Sequence, residues 1–284
     1  MSISAEKGEG TMQPPAADSA DTRRVAIVTG AGRGLGRAMA LGLAGAGVRV
    51  VATAARERAE VQALADERGA DTVLPVLADV RLEADAYRVV RAALERFGRL
   101  DILVNNAGRG MKYVSERFMT EPTRFWEVEP DTWRMVIDTN VNGPFLMARA
   151  AVPHMIRAGW GRIINISMNH GTMRRAGFSP YGPSKAALES ETLIWAEDLR
   201  ATGVTVNALL PGGATLTGMI PRGVPQAIRE RLLDPHIMVP PLLWLIGPAA
   251  DALTGCRITA THWDERRPLA AVQEAGWGSA AAGR

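Results

Sequence analysis

One cysteine in 284 residues, Cys256, leaves no partner for an intrachain disulfide and no pair for a Cys-x-x-Cys zinc site. Four histidines, His154, His170, His236 and His262, are scattered without metal-ligand spacing, so no metal requirement is expected. Aromatic residues make up only 5% of the chain and do not interleave with basic stripes. Lys plus Arg exceed Asp plus Glu by 33 − 30 = 3, too small an excess for a nucleic-acid surface. Long apolar runs are missing too, since the most apolar late stretch, 238–253, is interrupted by Pro240, Pro241 and Pro248. The first 22 residues lack the apolar core of a signal peptide and are rich in Ala, Ser, Gly, Pro and Asp. A disordered tail at 1–22, no membrane contact and a cytoplasmic location are therefore expected.

What is present is an α/β pattern. With 47% of its residues hydrophobic the chain can bury one sizeable core, and a single domain is expected over 23–284. Short β-branched runs at 25–29, 48–53, 73–77, 100–105, 161–167 and 204–210 read as strands, with a weaker candidate at 257–261. Helical periodicity appears in Leu35, Ala38, Met39 and Leu43, then at 57–68, 82–97, 131–157 and 182–201, with a diffuse stretch near 240–247. This alternation predicts a Rossmann-like, doubly wound parallel sheet with helices on both faces, and ligands at the carboxyl ends of its strands.

Two motifs sit at those ends. Thr29-Gly-Ala-Gly-Arg-Gly-Leu-Gly36 joins the first strand to a helix, where free backbone N–H groups and the helix dipole form a phosphate cradle. Gly30 permits the turn, Gly34 lets a pyrophosphate approach the backbone, and Gly36 allows close helix packing. Tyr181-Gly-Pro-Ser-Lys185 sets a phenol and an ammonium one helical turn apart, so the cation can lower the tyrosine pKa and the phenol can trade protons with an alcohol. Alone, the second motif is more often a solvated surface pair.

In combination they resemble the short-chain dehydrogenase/reductase family. The resemblance runs from about residue 24 to 255 and rests on an ordered set. After the glycine turn come Ala78-Asp79-Val80, Asn105-Asn106-Ala107-Gly108, Asn140 within Thr-Asn-Val-Asn-Gly-Pro-Phe, the strand at 161–167, Tyr181 with Lys185, and Pro211-Gly212. It implies a hydride transfer between a nicotinamide dinucleotide and a small alcohol or ketone, with Tyr181 as general acid/base. Lys185 would hold the nicotinamide ribose, and Asn140 would help to hold a water that links the lysine to solvent. Gly30, Arg33, Gly34, Leu35 and Gly36 would face the cofactor phosphates, and Asn106, Ala107 and Gly108 its adenosine half. Asp79 and Val80 would meet the adenine, although Asp79 also suits a helix N-cap ahead of Leu82. Pro211, Gly212 and either Thr215 or, preferred here, Thr217 would meet the nicotinamide carboxamide.

The family also places a serine after the fifth strand to donate to the substrate oxygen. Ser167 is taken as that donor, with Asn169 as support or substitute, because ungapped alignment on Tyr181 puts the serine position at Met168. Ala54 stands where an acid would bind the ribose 2′-OH of NAD, and Arg33 and Arg56 are near enough in sequence to meet a 2′-phosphate, which favours NADP over NAD. Met168, His170, Met173, Phe178 and Met219 suggest an apolar or aromatic substrate, with a substrate loop at about 212–236. The long connection 109–139 carries Met111, Tyr113, Phe118, Phe125, Trp126 and Trp133, and reads as a substrate wall or an oligomer contact. A homo-oligomer, tetramer or dimer, is expected from the resemblance, with Ala186, Ala187 and Leu188 as packing candidates. Two other readings are a nucleotide-binding scaffold whose chemistry has lapsed, and an epimerase or dehydratase on the same fold.

Overall fold

The structure, a computed structural model, describes residues 22–275 except Arg222. Apart from Thr22, the expected N-terminal tail lies outside the described residues. Eight strands form one sheet in the order β3-β2-β1-β4-β5-β6-β7-β8. They are β1 (Val25–Val28), β2 (Arg49–Ala54), β3 (Val73–Leu77), β4 (Ile102–Asn105), β5 (Gly161–Ile166), β6 (Val204–Leu210), β7 (Cys256–Thr259) and β8 (Val272–Glu274). The first seven pair in parallel, and β8 closes one edge antiparallel to β7. This is the expected Rossmann-like architecture. β8 was not legible in the sequence, because three residues, one half-buried and two exposed, show no alternation.

The helices are α1 (Gly34–Gly45), α2 (Arg58–Arg68), α3 (Glu83–Phe97), α4 (Pro130–Ile137), α5 (Gly143–Ala158), α6 (His170–Met173), α7 (Tyr181–Asp198), α8 (Gln226–Arg229) and α9 (Val239–Leu245). Successive β1 residues alternate between two cores: Ala26 and Val28 pack with Met39 and Leu43 of α1 and Leu242 of α9, while Val25 and Ile27 pack with Val89 of α3 and Met147 of α5. A strand buried on both sides has no polar face to spare, which is why β1 reads as an unbroken apolar run. Each fully buried Val, Leu or Ile contributes about 1.5–3 kcal/mol. Pro75 is tolerated within β3 because that strand is the sheet edge.

One helix expected at 131–157 is two. A π turn at Asp138–Asn142 separates α4 from α5. Periodicity alone does not reveal it, because a single wide turn preserves the apolar stripe on either side. No helix among the described residues is long and apolar enough to cross a membrane.

Candidate active site

The sheet order reverses between β1 and β4, and the crevice beyond their carboxyl ends collects the motif residues. Gly30 has φ +63°, and a β-carbon there would lie 2.9 Å from the Ala107 Cα. At Gly36 it would lie 2.2 Å from the Gly30 carbonyl oxygen, so only hydrogen fits at either position. Thr29 Oγ1 accepts from the backbone N–H groups of Asn106 and Ala107, each at 3.0 Å, and Asn106 Nδ2 donates to the carbonyls of Thr29 at 2.8 Å and Gly30 at 3.0 Å. The turn after β4 is thereby strapped to the glycine turn. No side chain caps the start of α1, which leaves its first N–H groups for an anionic ligand. A dinucleotide pyrophosphate fits this cradle.

Thr217 lies on the cradle, with its Cβ and Cγ2 each 3.0 Å from where a Gly34 β-carbon would be. Thr215 instead bridges to Leu233 and donates to the Gly213 carbonyl, so of the two threonines only Thr217 reaches the glycine turn. A cavity of about 350 Å³ opens between Gly34 and Arg37 on one side and Thr217 and Gly218 on the other. Val80 is buried and packs against Gly143 at the start of α5. Asp79 is not the N-cap of α3; that place is held by Leu82, without a side-chain bond. The Asp79 carboxylate pairs bidentately with Arg81, at 3.0 and 2.6 Å, and this hydrogen bonding holds its pKa below the usual carboxylate range.

Asn140, fully buried in the π turn, works through its side chain. Its Oδ1 accepts from Arg109 N at 2.8 Å, and its Nδ2 donates to Arg109 O at 3.0 Å and to Ser184 Oγ at 2.9 Å. Ser184 in turn donates to the Tyr181 carbonyl at 2.7 Å, tying the β4 turn to the first turn of α7.

On that turn, Lys185 Nζ donates to the Ile166 carbonyl at 2.7 Å and lies 6.0 Å from the centre of the Tyr181 ring. Burial pushes the Tyr181 phenol up to about 12 and pulls Lys185 down to about 8, the latter opposed by the Glu189 charge one turn further along. The sequence pattern suggested a depressed tyrosine pKa. The structure reverses that expectation, because desolvation of the phenol outweighs an ammonium that is distant and already engaged by a carbonyl. At neutral pH the phenol carries its proton.

Ser167 and its neighbours divide between two faces. Ser167 Oγ donates to Glu189 Oε1 at 2.6 Å, beneath α7. Glu189, only 1% exposed, also meets His170 Nε2 at 3.0 Å and accepts from Arg257 NH2 at 3.3 Å. Neither Glu189 nor Arg257 was singled out in the sequence; no motif marks them, and only folding brings β7 under α7. Removing one partner of such a buried ion pair typically costs about 3–5 kcal/mol. Met168 is buried, and Asn169 donates through Nδ2 to the Gly212 carbonyl at 2.7 Å, with no second acceptor for that amide among the described residues.

The connection 109–139 wraps the mouth of the site. Phe118 packs edge-on against Phe178 at 6.1 Å, Pro122 abuts Gly177, and Lys112 Nζ donates to the Gly218 carbonyl at 3.4 Å. Met219 packs on Gly108 and Gly110. A cavity of about 570 Å³, lined by Lys112, Met119, Val224 and Pro225 among others, lies between this connection and the loop after β6. Phe125 and Trp126, 67% and 68% exposed, meet edge-on with ring centres 5.0 Å apart.

Residues 24–225 match the family model described as short chain dehydrogenase. The chain belongs to the short-chain dehydrogenase family. It is 36% identical over 196 residues to a 3-oxoacyl-[acyl-carrier-protein] reductase of Synechocystis sp., covering 68% of this chain and 75% of that one. The identity to the granaticin polyketide synthase putative ketoacyl reductase 2 of Streptomyces violaceoruber is also 36% over 196 residues, covering 69% and 75%. Among solved structures, the 3-ketoacyl-(acyl-carrier-protein) reductase from Brucella melitensis complexed with NADH superposes with a TM-score of 0.72 at 34% identity, covering 82% of this chain and 95% of that one. The short-chain dehydrogenase is thus an NAD(P)-dependent oxidoreductase acting on CH–OH or C=O groups, which leaves the lapsed-scaffold and epimerase readings without support.

Proposed function

We propose that this short-chain dehydrogenase reduces the carbonyl of an apolar or aromatic substrate, with Tyr181 as the acid that protonates the nascent alkoxide. The observation that carries the reading is the Tyr181–Lys185 pair, with the ammonium 6.0 Å from the phenol ring and anchored to the end of β5, at the carboxyl end of the sheet where the glycine cradle also lies; burial pushes the phenol up to about 12. A bound nicotinamide would supply the hydride. Lys185 would hold the cofactor ribose, Thr217 its carboxamide end, and Asn140 would fix the β4 turn against α7. Met168, Phe178 and Met219 support an apolar pocket, with Phe118 behind Phe178. The relatives' names put β-ketoacyl thioesters into the first panel of carbonyl compounds. Such a panel, run with both cofactors and followed at the reduced-nicotinamide absorbance, tests the reading; no turnover across ketones, aldehydes and β-ketoacyl thioesters overturns it.

The pH dependence follows from the two shifted groups. Because the Tyr181 pKa is raised to about 12, the phenolate needed for alcohol oxidation becomes more abundant with every step toward alkaline pH. Oxidation should therefore accelerate from about pH 7 to 10. Reduction uses the protonated phenol and the lysine cation, so it should stay level up to the Lys185 pKa of about 8 and decline above it. Profiles of kcat/KM in both directions check this, and an oxidation rate that is flat with pH contradicts it.

NADP is the proposed cofactor. Support comes from Ala54, an uncharged residue at the end of β2, and from Arg33 and Arg56, both exposed nearby. Arg33 touches Glu60 only loosely, at 3.5 Å. Replacing both arginines by Ala should weaken NADP about tenfold or more and leave NAD nearly unchanged, as read by fluorescence quenching. Equal losses would sink the assignment.

A homo-oligomer, a tetramer or a dimer, is proposed through the outer faces of α5 and α7, which expose Phe145, Ile156 and Ile194. Leu188, one of the expected packing residues, is fully buried inside the subunit and takes no part in such a face. Light scattering should return a multiple of the chain mass; a monomer refutes it.

A further inference from the structure

Arg109 directly follows the Asn-Asn-Ala-Gly turn after β4 and is held in an environment ill-suited to a cation. Its backbone is clamped on both sides by Asn140. The residue is 9% exposed, and its guanidinium lies 4.5 Å over the Tyr113 ring. Among the described residues it donates no side-chain hydrogen bond. No Arg109 nitrogen is sealed from solvent, so the guanidinium opens toward the crevice, but its charge is partly desolvated and its surroundings compensate it poorly. Arg56 and Arg81 both repel it, and the one nearby carboxylate, Asp79, already gives both oxygens to Arg81. Burial, with this repulsion, holds the Arg109 pKa below the ordinary guanidinium value.

The strand order says where this charge lies. Arg56 follows β2, Asp79 and Arg81 follow β3, and β1 separates β2 from β4. Arg109 leaves the carboxyl end of β4 beside Tyr113, and its coupling to Arg56, Arg81 and Asp79 sets it among the groups that follow β2 and β3, at the carboxyl ends of the strands. That is the crevice. The pyrophosphate cradle is at the start of α1, whereas the end of β2 is where the adenosine ribose hydroxyls are read. The Tyr113 ring under the guanidinium uses none of its N–H groups, which remain available to a phosphate.

We propose that Arg109, together with Arg56, is the receptor for the 2′-phosphate of an adenosine nucleotide, and so a determinant of cofactor choice from outside the β2 loop. The assignment rests on the reading that a nicotinamide dinucleotide binds here. It explains why a buried cation stands among like charges: the dianionic phosphate is the acceptor it lacks.

Calorimetric titration of the full chain with adenosine 2′,5′-bisphosphate and with adenosine 5′-monophosphate, then with NADPH and NADH, tests it without relying on turnover. Arg109→Met should weaken the 2′,5′-bisphosphate and NADPH about thirtyfold, the range of a charge-assisted contact, and change the 5′-monophosphate and NADH less than about twofold. Arg109→Lys should recover only part of the loss, since a point charge does not reproduce a bidentate fork. If Arg109→Met does not fold by circular dichroism, Arg109→Lys and Arg109→Gln carry the same comparison. Equal losses for phosphorylated and unphosphorylated probes overturn the assignment alone, placing Arg109 at the pyrophosphate or in the scaffold. A wild type that binds none of the four probes overturns the dinucleotide reading and this assignment together.

Discussion

Tyr181→Phe is expected to reduce turnover by about four orders of magnitude while leaving cofactor affinity within about twofold. The substitution removes one oxygen from a phenol whose proton is retained at neutral pH by burial, and the ring still fills its place at the start of α7. Lys185→Ala should damage both properties. Its ammonium anchors α7 to the end of β5 through the Ile166 carbonyl, and it is the proposed ribose contact. Cofactor binding by fluorescence quenching and turnover on any accepted carbonyl separate the two effects. Should Tyr181→Phe keep a tenth of wild-type activity, another group delivers the proton and the assignment of the acid fails.

The second large effect concerns charge stabilisation at the substrate oxygen. Asn169→Ala should lower kcat by roughly a hundredfold, the loss seen when one oxyanion donor is removed, with little change in cofactor affinity. Ser167→Ala should lower kcat by less than about tenfold and cost about 1–2 kcal/mol of stability in urea titration. The asymmetry follows from where the protons go. The Ser167 hydroxyl is spent on Glu189 at 2.6 Å, in a buried network with Arg257 and His170, whereas Asn169 uses one amide proton on Gly212 and has no second acceptor for that amide among the described residues. The opposite result, a crippled Ser167→Ala beside a near-normal Asn169→Ala, would show that the serine leaves Glu189 when substrate arrives. Silence of both would remove the oxyanion account altogether.

The sequence by itself determined the sheet, the glycine cradle and the Tyr181–Lys185 pair. These depend on local relations: a β-branched run must be buried on both sides, a positive φ at Gly30 demands glycine, and four residues make one helical turn. Short range was enough. That Thr217 packs against Gly34 while Thr215 bridges to Leu233 needed the fold, since both stand in one loop and nothing local distinguishes them. So did the fate of Ser167. Strand alternation says that adjacent residues face opposite ways, but only the position of α7 says that the serine's side holds Glu189. The π turn at Asn140, the Arg257–Glu189 pair and the confinement of Arg109 arise from contacts across 31 to 89 residues of chain, as in Arg109–Asn140 and Arg257–Met168. The same holds for the pKa values. Spacing predicted a cation near a phenol and hence a lowered pKa, yet burial is a property of the whole fold, and desolvation reversed the sign.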